Sequence, residues 1–266
     1  MKKLPAGCLS LLLMLPVAVQ AEKTRQPEGV GIDQKLSAPV ALDTKFYNED
    51  GELVELSTFF DSDRRPVIIA PAFYECAMLC TAVFDGISRA MSGLAEKGLV
   101  AGEDYRVLSV SFDPEDTPQM ARTKGTLYRS TVKNQKVGPE GWHFLTGTQD
   151  NIKPLMDSMG YNYKPDGEVR YSHPAAIMLI TPAGEMSRYL FGIKFDPTDL
   201  RLSLVEASSG KIGTLTDAFL LTCFRFDPQK GKYTPFAMGF MQIGGMLIFF
   251  FLVGLVLFLY LRERNT

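Results

Sequence analysis

The stretch from Val67 to Phe84 constrains this chain more than any other. Val67-Ile68-Ile69-Ala70-Pro71-Ala72-Phe73-Tyr74 is an unbroken apolar run, which reads as a buried strand. Beyond Cys80, the residues Val83, Ile87, Met91 and Leu94 recur at helical spacing, so the period changes from strand to helix at Cys76-Ala77-Met78-Leu79-Cys80. Two cysteines four apart on one helical turn share a face, where they can hold a metal ion together or close a disulfide. A helix amino terminus also favours thiolate, the form that ligates and attacks. The same pair is compatible with two inert core thiols, since free cysteine often behaves as a small hydrophobe.

The two ends of the chain read as addresses and anchors. Lys2 and Lys3, an apolar core from Leu9 to Val19 and the small-residue site Val19-Gln20-Ala21 form a signal peptide over residues 1–21, with Glu22 as the first mature residue. Leu4-Pro5-Ala6-Gly7-Cys8 imitates a lipoprotein box, but Cys8 precedes the apolar core where a lipidated cysteine would follow it. From Phe236 to Leu261 no charge occurs, which predicts a transmembrane helix over 236–261. Arg262 and Arg264 follow at once, so the tail 262–266 is expected in the cytoplasm and the globular part outside. The expected location is a bacterial inner membrane, with a single carboxyl-terminal span and the domain in the periplasm. Gly244-Gly245 would permit close helix approach, though glycine is common in membrane helices in any case.

Between the ends, residues 22–41 read as an extended lead-in, 42–210 as one α/β domain and 211–235 as a juxtamembrane segment. Lys45-Phe46-Tyr47-Asn48 and Leu53-Val54-Glu55-Leu56 flank Asp50-Gly51, a hairpin signal. Arg106 to Phe112 is a second buried strand, and with the first strand and its helix it predicts a right-handed parallel unit. Thr117-Pro118 and Asp196-Pro197 each supply an N-cap and a first-turn proline. A short strand at Trp142 to Leu145, a helix ending near Gly160, and a hairpin of Pro174–Thr181 with Met186–Gly192 complete the pattern. The order predicts a thioredoxin-like α/β domain with a central mixed sheet, plus the carboxyl-terminal transmembrane helix. At 46% hydrophobic and 22% charged residues and a net charge of -2, the chain has no basic, aromatic-interleaved stripe, which excludes a nucleic-acid binder.

With Cys8 removed, Cys76, Cys80 and Cys223 remain, and only the first two are neighbours in sequence. Cys223, in Leu220-Leu221-Thr222-Cys223-Phe224, reads as a buried structural thiol, with a resolving or intermolecular thiol as the alternative. A thioredoxin-type redox pair is separated by two residues, whereas three intervene here, which turns the second sulfur further round the helix start. Of the two histidines, His143 beside Trp142 reads as structural or exposed. His173 precedes Pro174 and the hairpin expected beside the cysteine turn, and a Cys, Cys, His set suits a soft or borderline ion such as Cu(I). Zinc would require a fourth ligand, and none stands out. The His173–Pro174 bond is expected to be cis, by analogy with the strand-start proline of thioredoxin-like folds. Asp113, at the carboxyl end of the second parallel strand, is either a group near the cysteine loop or a turn cap with Pro114.

Three motifs in order, Phe73-Tyr74-Glu75-Cys76-Ala77-Met78-Leu79-Cys80, Val110 to Pro118, and His173 ahead of Pro182-Ala183-Gly184-Glu185, resemble the Sco/SenC family over roughly Val30 to Gly210. The resemblance implies a thioredoxin-like fold and a role in cytochrome c oxidase assembly, delivering copper to the CuA centre of subunit II or reducing its cysteines. It makes Cys76, Cys80 and His173 the copper ligands. It implies Cu(I), with Cu(II) as a second state, and an upstream copper donor or thiol reductant as a further partner. The chain departs from the family pattern at Ala77, where proline usually follows the first cysteine, and at Ser172, where aspartate often precedes the histidine. Neither change removes a donor atom, but both alter groups that orient the ligands. Anchoring at the carboxyl rather than the amino end would mark a distinct branch.

Two functions are therefore expected. The first is a membrane-tethered metallochaperone rather than a turnover enzyme. The second is a thiol-disulfide oxidoreductase using Cys76 and Cys80 as attacking and resolving thiols. A peroxide-reducing thioredoxin-like enzyme ranks third. His173 discriminates between the first two, because dithiol exchange does not require it.

Overall fold

The computed structural model describes residues 27–60, 65–76, 78–167, 170–209, 220–221, 224–229, 231–235, 244–255 and 257. The first half runs β1 (Gly31–Ile32), β2 (Lys45–Tyr47), β3 (Leu53–Glu55), β4 (Val67–Ala72), α1 (Leu79–Glu96), β5 (Arg106–Ser111), α2 (Pro118–Thr131) and β6 (Trp142–Leu145). It continues through α3 (Gln149–Ser158), β7 (Tyr161–Asn162), β8 (Lys164–Asp166), β9 (Arg170–Ser172), β10 (Ala176–Ile180), β11 (Met186–Phe191) and α4 (Pro197–Ala207). A last hairpin joins β12 (Phe224–Asp227) to β13 (Lys232–Pro235).

The central sheet has the order β11-β10-β4-β5-β6 and is mixed. β4, β5 and β6 run parallel, while β10 is antiparallel to both β4 and β11. Every residue of β4, β5 and β10 is buried, which is why these segments read as continuous apolar runs rather than alternating ones. Pro71 is tolerated in a central strand because β10 pairs with β4 only over Val67–Ile69, leaving the Pro71 end of the strand with β5 alone. On one part of the core Phe84 of α1 and Tyr128 of α2 close on Trp142 and Phe144 of β6. The expected helix starts hold: Thr117 Oγ1 accepts the Met120 N–H, and Asp196 accepts from Thr198 and Asp199.

Two expectations are overturned. No helix among the described residues is long and apolar enough to cross a membrane, which overturns the transmembrane helix expected over 236–261. The His173–Pro174 bond is trans, as no cis peptide occurs among the described residues. The signal-peptide residues 1–21, Cys8, Ala77 and Cys223 lie outside the described residues, as does the tail 262–266.

The remainder of the chain is more closely docked than its polarity suggests. In the stretch read as a lead-in, β1 pairs with β7 and Pro39 bridges to Glu185, with Val40 buried. In the stretch read as a juxtamembrane segment, the β12–β13 hairpin seats Tyr233 against Glu206, and the Arg188 guanidinium lies 5.2 Å over the Phe226 ring.

One glycine determines how the site is supported. Gly160 ends α3 at φ +63°, and a Cβ there would stand 1.9 Å from the Asp33 carbonyl oxygen, to which the chain is already tied by the Asp33 N–H to Gly160 O bond of 2.9 Å. This close approach sets where Tyr161 emerges. Gly160→Ala is expected to lower stability by about 2–4 kcal/mol in urea unfolding, from left-handed strain plus backbone displacement. Wild-type stability for that variant would contradict the account of this turn.

Candidate metal centre

Sheet topology brings the site together. β10 is antiparallel to β4 with Met178 opposite Ile69, and extending that register past the last pair sets Pro174 level with Phe73 and His173 level with Tyr74. β5 is parallel to β4 with Ser111 opposite Ala72, so the segment Asp113–Asp116 emerges at the same end. The cysteine turn, His173 and the acidic turn thus meet where open α/β sheets place their sites.

The donor atoms of Cys76, Cys80 and His173 all lie within 4.8 Å of one another. Cys80 is fully buried and its Sγ stands 3.4 Å from His173 Nε2, while Cys76 is half-buried. α1 begins at Met78 with no side-chain cap and no acidic residue in its first turn. Instead Cys76 Sγ accepts the Cys80 N–H at 3.4 Å, so a sulfur fills the place of a capping oxygen. The hydrogen bond to Cys80, opposed by partial burial and helped by His173, pulls the Cys76 thiol down to a pKa of about 3. Donating to Cys76 and being buried push the Cys80 thiol in the opposite direction. The pair therefore consists of one accessible thiolate and one buried thiol.

The imidazole is oriented by two oxygens at Nδ1. Tyr161 Oη donates to the Pro174 carbonyl at 2.9 Å and lies 3.0 Å from His173 Nδ1, which is itself 3.1 Å from the same carbonyl. An Nδ1 lone pair would face that carbonyl lone pair to lone pair, so Nδ1 carries the proton and donates. Nε2 is left facing the sulfurs, 3.4 Å from Cys80 Sγ. Phe112 and Phe73 wall the ring at centroid distances of 5.2 and 5.9 Å, the second edge-on. This support through the unmetallated nitrogen is what metal-binding histidines require.

A second set of groups ties the three site segments to each other. Arg170 of β9, at φ +68°, pairs through Nε with Asp113 Oδ2 at 2.8 Å, through Nη2 with Glu115 at 2.5 Å, and through Nη1 with Glu75. One guanidinium thereby links the strand that leads to His173, the residue before Cys76 and the turn after β5. Both sequence readings of Asp113 hold, for its Oδ1 also accepts the Glu115 N–H at 2.9 Å and closes the turn over Pro114. It is not one of the convergent donors. Asp116 Oδ2 accepts from Tyr74 N–H and from Ser111 Oγ, each at 2.6 Å, fixing the loop two residues ahead of Cys76, and burial raises the pKa of this carboxyl. Ser172, standing where the family often has aspartate, donates to Asp166 instead.

His143 takes no part. It packs tilted on Phe59 at 4.6 Å, and burial, with Arg106 and Arg129 nearby, lowers its pKa to about 4. Sequence reasoning missed Tyr161, Arg170 and Asp116. Asp116 stood within a motif that had been recognised. Tyr161, directly after the helix-ending Gly160, was signalled only by the tyrosines that recur at 161, 163 and 171. Arg170 carried no signal, because its partners are distant in the chain.

The profile described as SCO1/SenC matches residues 33–204. The chain belongs to the SCO1/SenC family. It is 28% identical over 169 residues to the SCO1 protein homolog of Bacillus subtilis (strain 168), covering 62% of this chain and 80% of that protein. Among solved structures it resembles BsSco, described as having a disulfide switch and as a member of the Sco family of cytochrome c oxidase assembly proteins. That match has a TM-score of 0.51 and 24% identity, over 68% of this chain and 99% of BsSco. It also resembles Arabidopsis thaliana ScoI with copper bound, at a TM-score of 0.50 and 18% identity, over 65% and 98% of the two chains. The two structural likenesses establish the Sco-like thioredoxin fold.

The unequal thiols make a kinetic prediction. Alkylation of Cys76 in the apo protein by iodoacetamide should proceed at a rate nearly constant from about pH 5 to 8, where an ordinary thiol of pKa about 8.5 would speed up about tenfold per unit. Cys80→Ala should restore the steep dependence by removing the donor. A steep profile in the wild-type protein would contradict the thiolate assignment.

Proposed function

We propose that this Sco/SenC protein is a copper carrier of oxidase assembly, holding copper as cargo through Cys76, Cys80 and His173 and passing it to the CuA site of cytochrome c oxidase subunit II. The observation that carries the reading is the convergence of two sulfurs and one imidazole within 4.8 Å. Two thiolates and an imidazole suit Cu(I), and the imidazole also gives Cu(II) an acceptable donor. Family membership adds support, since relatives are described as copper-bound and as oxidase assembly proteins. Cargo exchange needs no net chemistry: a thiolate of the partner forms its bond to copper as a thiolate of the carrier releases one. The signal-like residues 1–21 favour action outside the cytoplasm.

The unequal thiols favour a second reading, in which Cys76 attacks a disulfide of the partner and Cys80 resolves the mixed disulfide, leaving the partner reduced. His173 separates the two. In the carrier reading, His173→Ala still forms the Cys76–Cys80 disulfide but loses copper affinity by about 100-fold or more, with the larger loss for Cu(II). Cys76→Ser and Cys80→Ser lose both properties. Copper stoichiometry of each purified variant and oxidase maturation in cells, with the protein followed in the periplasmic fraction, are the measurements. Normal CuA assembly by His173→Ala at limiting copper would sink the carrier reading in favour of thiol reduction.

A further inference from the structure

A cleft of about 500 Å³ opens beside the donor set, lined by Phe73, Met78, Leu79 and Tyr171 with Cys76 and His173. Its rim carries Glu75 and Arg170, which are engaged with each other. Ser172 aside, its walls are otherwise apolar and aromatic, with one thioether among them. Met78 is 77% exposed, the most exposed large apolar side chain among the described residues. Leu53 at 56% and Leu127 at 53% are the next within the globular part.

Neither the fold nor the helix accounts for that residue. Met78 occupies the N-cap of α1 with φ -117° and ψ -88°, and its side chain makes no capping hydrogen bond. Ser, Thr, Asp or Asn at an N-cap would satisfy a first-turn N–H, whereas methionine cannot. Its apolar surface gains nothing from burial, because it is not buried. What methionine does offer at this position is sulfur. A thioether is a soft, neutral donor that needs no deprotonation, which matches Cu(I) and mismatches Cu(II) and zinc.

We propose that Met78 is the first ligand this protein presents to incoming Cu(I), standing two residues from Cys76 and two from Cys80 at the mouth of the cleft. This inference rests on the copper-carrier reading and adds a transfer ligand to it. The sequence of exchanges balances without redox change. The bond from Cu(I) to its outside donor breaks as the bond to Met78 Sδ forms. The Cys76 thiolate then displaces the thioether. Cys80 loses its proton to solvent as its sulfur binds, and His173 Nε2 completes the set. A neutral thioether binds weakly enough to release the ion inward, and the same steps reversed serve export to a partner.

The test uses the full chain with methyl-13C methionine, titrated anaerobically with Cu(I) supplied as its acetonitrile complex. The Met78 methyl resonance should shift or broaden at the first additions, before the Cu(I)-thiolate absorption is complete. Met78→Leu, which keeps the apolar bulk and removes the sulfur, should slow growth of that absorption by about tenfold while leaving final stoichiometry and Cu(II) uptake unchanged. Met78→Ser supplies a proper cap, so it should raise the melting temperature yet slow Cu(I) uptake equally, separating stability from transfer. Wild-type uptake by Met78→Leu, or slow uptake with an unmoved Met78 methyl in the parent, would overturn the role of the thioether. If no Cu(I)-thiolate absorption develops even in the parent protein, the carrier reading itself falls and this inference with it.

Discussion

The antiparallel pairing of β10 against β4 is the constraint from which the site follows. Had β10 run parallel to β4, its amino end would have met the opposite edge of the sheet, far from the cysteine turn. Because it is antiparallel, the residues just before β10 lie level with the residues just after β4, and the Met178–Ile69 register carries His173 to the height of Tyr74. Registers between strands buried on both faces are held by packing, since a one-residue slip would exchange the faces of every side chain in the strand. The distance from His173 to the sulfurs is therefore set by the core rather than by the loops.

Upon that frame the polar groups are arranged so that few donors lack a purpose. Cys76 sulfur caps α1 in place of an oxygen, which gives the thiolate a reason to exist before any metal is present. The phenol of Tyr161 and the Pro174 carbonyl settle which imidazole nitrogen keeps its proton. Arg170 draws carboxylates from two further segments, one of them the buried Asp113. Removing the guanidinium would leave Asp113 charged and buried without its partner, which is among the costliest changes a protein interior can suffer. A site built this way is preorganised by neighbouring side chains and does not need its cargo in order to take shape.

Much of this was legible in the sequence, for reasons that are physical. β4 and β5 announced themselves as apolar runs because both faces are covered, and α1 because its apolar residues return at 3.6-residue spacing. Cys76, Cys80 and His173 were recognisable because their residue types are rare in the chain and sit at the ends of strong elements. The short β7 to β9 ribbon was not legible, since strands of two or three residues carry no periodicity and are held by pairing across distant segments. Arg170 and Tyr161 were hidden for the same reason. The carboxyl-terminal span was read from hydropathy alone, which reports composition, whereas among the described residues no helix is both long and apolar enough to cross a membrane.

The central claim is that two sulfurs and one nitrogen of this chain hold a soft metal together. X-ray absorption at the copper edge of the Cu(I)-loaded protein measures that directly. The account predicts a first shell fitted by two sulfur scatterers and one imidazole, with the imidazole multiple-scattering signal absent in His173→Ala. A two-coordinate, sulfur-only shell in the parent protein, unchanged by His173→Ala, would contradict it.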